Sequence, residues 1–595
     1  MRNLCYDLMI ARAWFSPLLT GPGDPIHRKV HVRETRNTQN AKANGNTGDA
    51  GHRVSTGLLN MFPHPPDADA PRGEIEARQL LKRTPGSYLL NQAYSLWFFV
   101  SSFLLTIIIT RRLSTTQYGI YAVALSAFNT IAYIVALGLE DATTTFVPRV
   151  FSEHGRAAAA SLIRRLLALR IVVLALGVGI MLFGMPLLAL FIAIIPLQGS
   201  AGIAAGLRDP TLLAHITPIA VNVLGNGIAS LITAVCAALM RMRVVFVLGS
   251  VTQLLILVVA WVGLQFGWGV DGMLWLLALG SVLNALVFTF WLAPILFIRG
   301  ASYQQPLKPV MRLGISAWLT NLAQGALLKQ ISIILLGYFA ISIIQIGYFN
   351  LSFQLAHAAN LLLVSGFGGV AGAALAAAFV GENRDRLARS WQTLIKIETL
   401  LAAPILVFCL FNAQNIAPAL YGASYDPVGP LLAIFLFFNI LVRALGTTMH
   451  QYTLYVIGKP SKVVLGQWIG LLALVLIGIA LIPRWGPAGA LIADGVAQVV
   501  TGALLLAFLW SDLPHKYPLD FTLRLLLGLT LAALPSIIWH PTSRLLLVVS
   551  GCIFLLLAIA LLLVIRPLSA SDMDVIASVR PAMAPYLRRF ARGKG

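Results

Sequence analysis

Apolar runs of roughly 20 residues recur along this chain from about Leu89 to Ile565, each long enough for a helix to cross a hydrocarbon core about 30 Å thick. In lipid the backbone N–H and C=O groups must be satisfied within the segment, so such runs fold as helices. Hydrophobic residues make up 58% of the 595 and charged residues only 11%, which excludes an ordinary soluble globular protein. The expected class is an all-α integral membrane protein.

Windows of about 19 residues place helices near 89–110, 119–139, 167–190, 214–238, 244–266 and 272–298. A second six follow near 313–338, 344–366, 394–413, 429–453, 463–483 and 486–510, and two more near 521–539 and 544–565 bring the expectation to about 14 transmembrane helices. The net charge of +21 comes from 43 Lys and Arg against 22 Asp and Glu, and in a soluble chain it would suggest nucleic acid. Here the cations crowd alternate loops: Arg149, Arg156, Arg164 and Arg165, then Arg241 and Arg243, then Arg384, Arg386 and Arg389, and the tail from Arg580 to Lys594. That pattern is topology rather than nucleic-acid binding, and it predicts that both termini are cytoplasmic.

Cys236, Cys409 and Cys552 lie inside apolar runs without partners at metal-ligand spacing, so no metal or cofactor is expected. P-loop, paired-cysteine and serine-nucleophile patterns are not found, and the expectation is a transporter rather than an enzyme. Residues 1–84 are rich in Asn, Gly, Asp, Arg, His and Pro without helical periodicity and are expected to be a disordered cytoplasmic tail, with Met61 an alternative start that would make the upstream stretch, residues 1–60, an artefact of the start site.

An internal repeat is legible. Gln117-Tyr118-Gly119-Ile120-Tyr121 opens the second predicted helix and Gln345-Ile346-Gly347-Tyr348-Phe349 opens the eighth, at the spacing that also aligns Phe151 with Phe379. Trp268-Gly269-Val270-Asp271-Gly272 and Trp485-Gly486-Pro487-Ala488-Gly489 similarly open the sixth and twelfth. The repeat predicts two parallel six-helix lobes around a central cavity, residues 85–300 and 301–510, followed by helices 13 and 14 (511–568) and a basic cytoplasmic tail (569–595).

Polar residues fall on stripes. In the first predicted helix Asn91, Ser95, Ser102 and Thr106 lie within about 60° of one another. Asn129 sits on the second, Asn321, Gln324 and Lys329 on the seventh, Asn350, Gln354 and His357 on the eighth, and Asn439, Arg443 and His450 on the tenth. Two readings stand for the amides and hydroxyls: glue between helices, or the wall of a wet cavity. Lys329 and Arg443 favour the cavity, because a cation near the centre of a span costs about 2.5–3.5 kcal/mol and so faces an interior and a partner. Asp494, inside the twelfth helix, is the candidate for ion coupling, while Asp271 is read as a cap and Glu398 as the start of the ninth helix. More fixed cations than anions favour an anionic cargo, because a phosphate needs cationic or hydrogen-bonding partners away from water.

RRLSTTQYGIYAVALS (Arg111 to Ser126) resembles the first-loop signature of polysaccharide flippases, and LYGASYDP (Leu420 to Pro427) resembles the loop between their ninth and tenth helices. Gly458-Lys459-Pro460 and PRWGPAGA (Pro483 to Ala490) are similar to the entries of helices eleven and twelve, so the resemblance covers about residues 85–510. It is to the multidrug/oligosaccharidyl-lipid/polysaccharide (MOP) flippase superfamily, Wzx-like branch. The resemblance implies translocation of an undecaprenyl-diphosphate-linked, anionic oligosaccharide to the periplasmic leaflet of a bacterial inner membrane by alternating access, for exopolysaccharide, capsule or O-antigen synthesis. Membrane lipids and a polysaccharide polymerase and export machinery are the implied partners. A lipid II flippase or multidrug exporter of the same superfamily is the alternative, and a polysaccharide polymerase or ligase is the competing enzyme class. Ser332 departs from the family, whose members often carry an acidic residue near that point.

Overall fold

The computed structural model describes residues 90, 93–184, 213–298, 306–322, 327–362, 364, 367–379, 382–513, 517–569 and 572–573. The elements in these residues are helices. In order they are α1 (Ala93–Thr110), α2 (Thr115–Ala136), α3 (Leu139–Gly179), α4 (Ile216–Ala238), α5 (Met242–Gln265) and α6 (Val270–Leu296). Then come α7 (Lys308–Asn321), α8 (Leu327–Tyr338), α9 (Ile343–Leu361), α10 (Phe367–Ala378), α11 (Arg384–Phe411) and α12 (Ala413–Tyr421). The last are α13 (Val428–Leu445), α14 (Thr447–Val456), α15 (Pro460–Trp485), α16 (Pro487–Trp510), α17 (Leu519–Trp539) and α18 (Arg544–Ile565).

Twelve helices among the described residues are long and apolar enough to cross a membrane, so this is a multi-pass membrane protein. The predicted seventh and eighth spans are not among them. The seventh contains α7 and α8, and residues 323–326 between them lie outside the described residues. The eighth becomes α9, whose Gln345, Asn350, Gln354, His357 and Asn360 lower its hydropathy, and α10, which the hydropathy windows assign to no span. The tenth divides at Gly446, left-handed with φ 73°, into α13 and α14. Glu398 lies in the middle of α11 rather than at a helix start.

The repeated motifs have a structural cause. Ser114 caps α2 by accepting from the Gln117 N–H at 3.2 Å, while the Gln117 side chain accepts from the Ser114 N–H at 3.2 Å, a capping box that fixes where the helix begins. Ser342 accepts from the Gln345 N–H at 3.4 Å and caps α9 in the same way. Two residues past each glutamine, Gly119 and Gly347 let α2 and α9 cross almost backbone to backbone: a Cβ at Gly119 would lie 2.3 Å from the Ile343 carbonyl oxygen, and one at Gly347 3.2 Å from the Gly119 Cα.

Buried apolar residues form one core within 139–310, a second within 371–513, and a third that runs through α1, α2, α4 and α6 and on into α8, α9, α11 and α13. α17 and α18 pair with each other, and Phe408 of α11 meets Phe554 of α18 at 5.3 Å. Beyond α18 the chain turns back onto α11, where Asp572 accepts from Lys396 Nζ at 2.8 Å and from Thr393 Oγ1 at 2.9 Å, with Leu568 and Met573 buried beside it. The expectations for residues 1–84 and for the tail beyond 573 lie outside the described residues.

Candidate functional site

A cavity of about 980 Å³ opens in the middle of the helices. Its described lining comes from α1, α2, α4, α5 and α6 on one side and from α8, α9, α13, α14, α15 and α16 on the other. Of the residues singled out in the sequence, Lys329, Arg443, Gln354, His357, Asn439 and Asn129 line it.

The two cations are held differently. Arg443 is in a network: Nη1 pairs with Glu398 Oε1, Nε donates to Asn360 Oδ1 at 2.6 Å, and Nη1 also reaches Thr448 Oγ1 at 3.3 Å. Asn360 Nδ2 in turn donates to Asn439 Oδ1 at 3.0 Å, and Asn439 Nδ2 donates to the Phe435 carbonyl at 2.8 Å. Lys329 has no ion-pair partner among the described residues; its ammonium lies 5.3 Å from the centroid of the Phe353 ring. Phe353 stacks on Phe435 at 4.9 Å and on His357 at 6.2 Å, so an aromatic shelf supports the ammonium. With Arg443 neutralised by Glu398, the net fixed charge of the described cavity wall is that of Lys329.

Several expected site residues lie elsewhere. Asn350 is buried and donates to Tyr118 Oη at 2.9 Å, and His450 is buried with Nδ1 accepting from Trp391 Nε1 at 3.1 Å; both belong to helix packing because a neighbouring helix covers their face. Asn321 donates to Asp141 Oδ2 at 3.0 Å and lines a separate 410 Å³ pocket with Glu140, Arg170 and Trp318. Burial and the neighbouring Glu140 push the Asp141 carboxyl above its usual pKa, against the lowering effect of Asn321. Asp494 is fully buried beneath Gln498, which donates to its Oδ1 at 3.0 Å, and it is Gln498 that faces the cavity. Gln324 and Asn91 lie outside the described residues. Ser332 is buried, with an Oγ that has no hydrogen-bond partner among the described residues.

Sequence reasoning missed Asn222, Asn226, Gln253, Asn284, Gln330 and Gln467, all of which line the cavity. The four-residue spacing of Asn222 and Asn226 was a usable signal, since it puts both on one helix face. Near the end of α1 and the start of α2, contacts join helices distant in sequence: Thr106 Oγ1 donates to Gln354 Oε1 at 3.2 Å, Arg111 donates to the Ala419 and Leu420 carbonyls, and Tyr118 meets Tyr425 edge-on at 6.1 Å.

Residues 182–430 match the model of a family described as polysaccharide biosynthesis protein. No curated protein matches. Among solved structures, the lipid II flippase MurJ in an inward closed conformation is similar at 15% identity with TM-score 0.54, covering 79% of this chain and 97% of MurJ. An inward-facing multidrug-resistance MATE family transporter is similar at 19% identity with TM-score 0.52, covering 70% of this chain and 94% of its own. A MOP superfamily transporter from Pyrococcus furiosus, described as having a binding pocket of reverse polarity, is similar at 16% identity with TM-score 0.51, covering 74% and 98%. The chain has the fold of the MOP superfamily, and within that fold it carries the polysaccharide biosynthesis family match.

Proposed function

We propose that this protein is a flippase that moves an undecaprenyl-diphosphate-linked oligosaccharide from the cytoplasmic to the periplasmic leaflet of a bacterial inner membrane. Residues 85–300 and 301–510 act as two lobes that rock about the central cavity, with the end at Tyr118 and Tyr425 facing the periplasm. The observation that carries this reading is Lys329, a cation in a large intramembrane cavity with no carboxylate paired to it among the described residues. A lone intramembrane cation is costly, and a diphosphate is the ligand that compensates it. Arg443 supplies a second contact, because its Nη2 makes no hydrogen bond to a described group while Nε and Nη1 are held in place by Asn360 and Glu398. An exporter of organic cations is disfavoured, since the described cavity wall carries no carboxylate.

Replacing Lys329 with Ala is expected to stop glycan export per molecule of membrane-inserted protein, and Lys329→Arg to restore it in part. Normal export per molecule in Lys329→Ala would refute the role.

A further inference from the structure

The two sides of the cavity treat their polar groups differently. On the side of α8, α9, α13, α14, α15 and α16 most amides are already committed, Gln467 of α15 being the exception. Gln330 Oε1 accepts from Ser126 Oγ at 2.5 Å, Gln354 is bonded to Thr106, Asn360 and Asn439 serve each other and Arg443, and Gln498 serves Asp494. On the other side Asn129 of α2, Asn222 and Asn226 of α4, Gln253 of α5 and Asn284 of α6 all line the cavity, yet their side-chain amides bond to no described group. Asn284 Oδ1 is buried without a partner among the described residues, an arrangement that native structures keep where something else completes the bond.

This amide wall carries no charged side chain among its described lining residues. Behind Ser230, which also lines this wall, Arg170 and Glu140 pair with each other at 2.8 Å and so add no net charge. Aromatic rings are interleaved with the amides: Phe98 is 46% exposed and Tyr133 42%, and Phe99 and Phe128 also line the wall.

We propose that this wall is a subsite for an uncharged sugar, the first residues of the glycan that follow the diphosphate held at Lys329; it rests on the flippase reading above. An amide presents a donor and an acceptor side by side, which matches adjacent sugar hydroxyls that both donate and accept. Aromatic faces take the apolar C–H face of a pyranose. A uronic or sialic acid would leave a carboxylate without a cation there, a burial that costs too much to be accepted. The cavity is therefore polarised, with the anion on one wall and the neutral sugar on the other, and it selects cargo by the charge of the sugar next to the diphosphate.

The test uses the purified full chain in lipid nanodiscs and three probes: bare undecaprenyl diphosphate, the same lipid bearing a neutral hexose trisaccharide, and the same trisaccharide with a hexuronate in first position. The readout is the ratio of dissociation constants between bare and glycosylated lipid within each protein, which partial misfolding scales equally. In the wild type the neutral glycan should tighten binding about tenfold or more, as several hydrogen bonds would. The hexuronate should lose that gain. Asn222→Ala/Asn226→Ala should bring the ratio towards one, and Gln253→Leu, on a different helix, should lower it too. Lys329→Ala should weaken binding of bare and neutral-glycan lipids by the same factor and leave their ratio intact. A wild-type ratio near one, a ratio kept in both amide variants, or tighter binding of the hexuronate overturns the subsite. Binding of bare lipid that ignores Lys329→Ala overturns the diphosphate reading alone, and no binding of any probe overturns both.

Discussion

The Arg443–Glu398 pair predicts an asymmetric response to mutation. The side chains are 11% and 3% exposed, so the carboxylate is the more completely desolvated partner. Glu398 Oε2 has no hydrogen-bond partner among the described residues, and Arg443→Ala would strip the guanidinium from Oε1, leaving a buried carboxylate with no counter-charge and only the Thr448 hydroxyl to serve it. Breaking a buried pair in this way costs about 3–5 kcal/mol. Glu398→Ala leaves Arg443 with Asn360 at 2.6 Å, Thr448 at 3.3 Å and access to the cavity, so its cost should fall lower, about 2–3 kcal/mol. The double variant removes both charges together and should come out about 2 kcal/mol better than the sum of the singles. The assay is denaturant unfolding in mixed micelles of the wild type, both singles and the double. Costs that add within about 0.5 kcal/mol, or Glu398→Ala proving worse than Arg443→Ala, would refute the argument.

Three further outcomes are expected. Gly119→Ala places a methyl 2.3 Å from the Ile343 carbonyl and must push α2 and α9 apart, so the same unfolding assay should show a loss of about 1–3 kcal/mol, whereas Gly155→Ala, with nothing within 4 Å, should show only the backbone cost of its φ of 79°. For Asp572, burial raises the carboxyl pKa, but the Lys396 charge and hydrogen bonds from Lys396 and Ser569 outweigh it and hold the group below its usual value. The contribution of a carboxyl lowered in the folded state is present above its unfolded pKa, about 3.9, and is lost as pH falls through the folded value, so Asp572→Asn should be less stable than wild type at pH 7 and the gap should close below about pH 4. A gap that widens in acid would contradict that sign. Finally, single cysteines at Arg384 and Ala423, both exposed, in a background without Cys5, Cys236, Cys409 and Cys552 should label from the cytoplasm and the periplasm respectively. The reverse pattern would invert the proposed direction of transport.

The membrane class, the apolar spans and the helix starts at Ser114 and Ser342 are written in the sequence because they rest on local physics. A run of apolar residues in lipid has only one way to satisfy its backbone, and a cap needs only residues three apart. The repeat was legible for the same reason, since Gly119 and Gly347 stand at equivalent points of two like-sequenced helices. Periodicity also put Asn350 and His450 on polar faces, but a face says nothing about what covers it. Tyr118 and Trp391, distant in sequence, took those two residues out of the cavity. The break at Gly446 needed a left-handed turn that hydropathy does not register, and the pairing of Arg443 with Glu398 joins α13 to α11 across a loop and a short helix. Only the packing of helices decided that Arg443 is answered inside the protein, that Lys329 is not answered by any described carboxylate, and that five amides from four helices share one wall. Contacts of that kind depend on which helix faces which, and no property local to a residue encodes it.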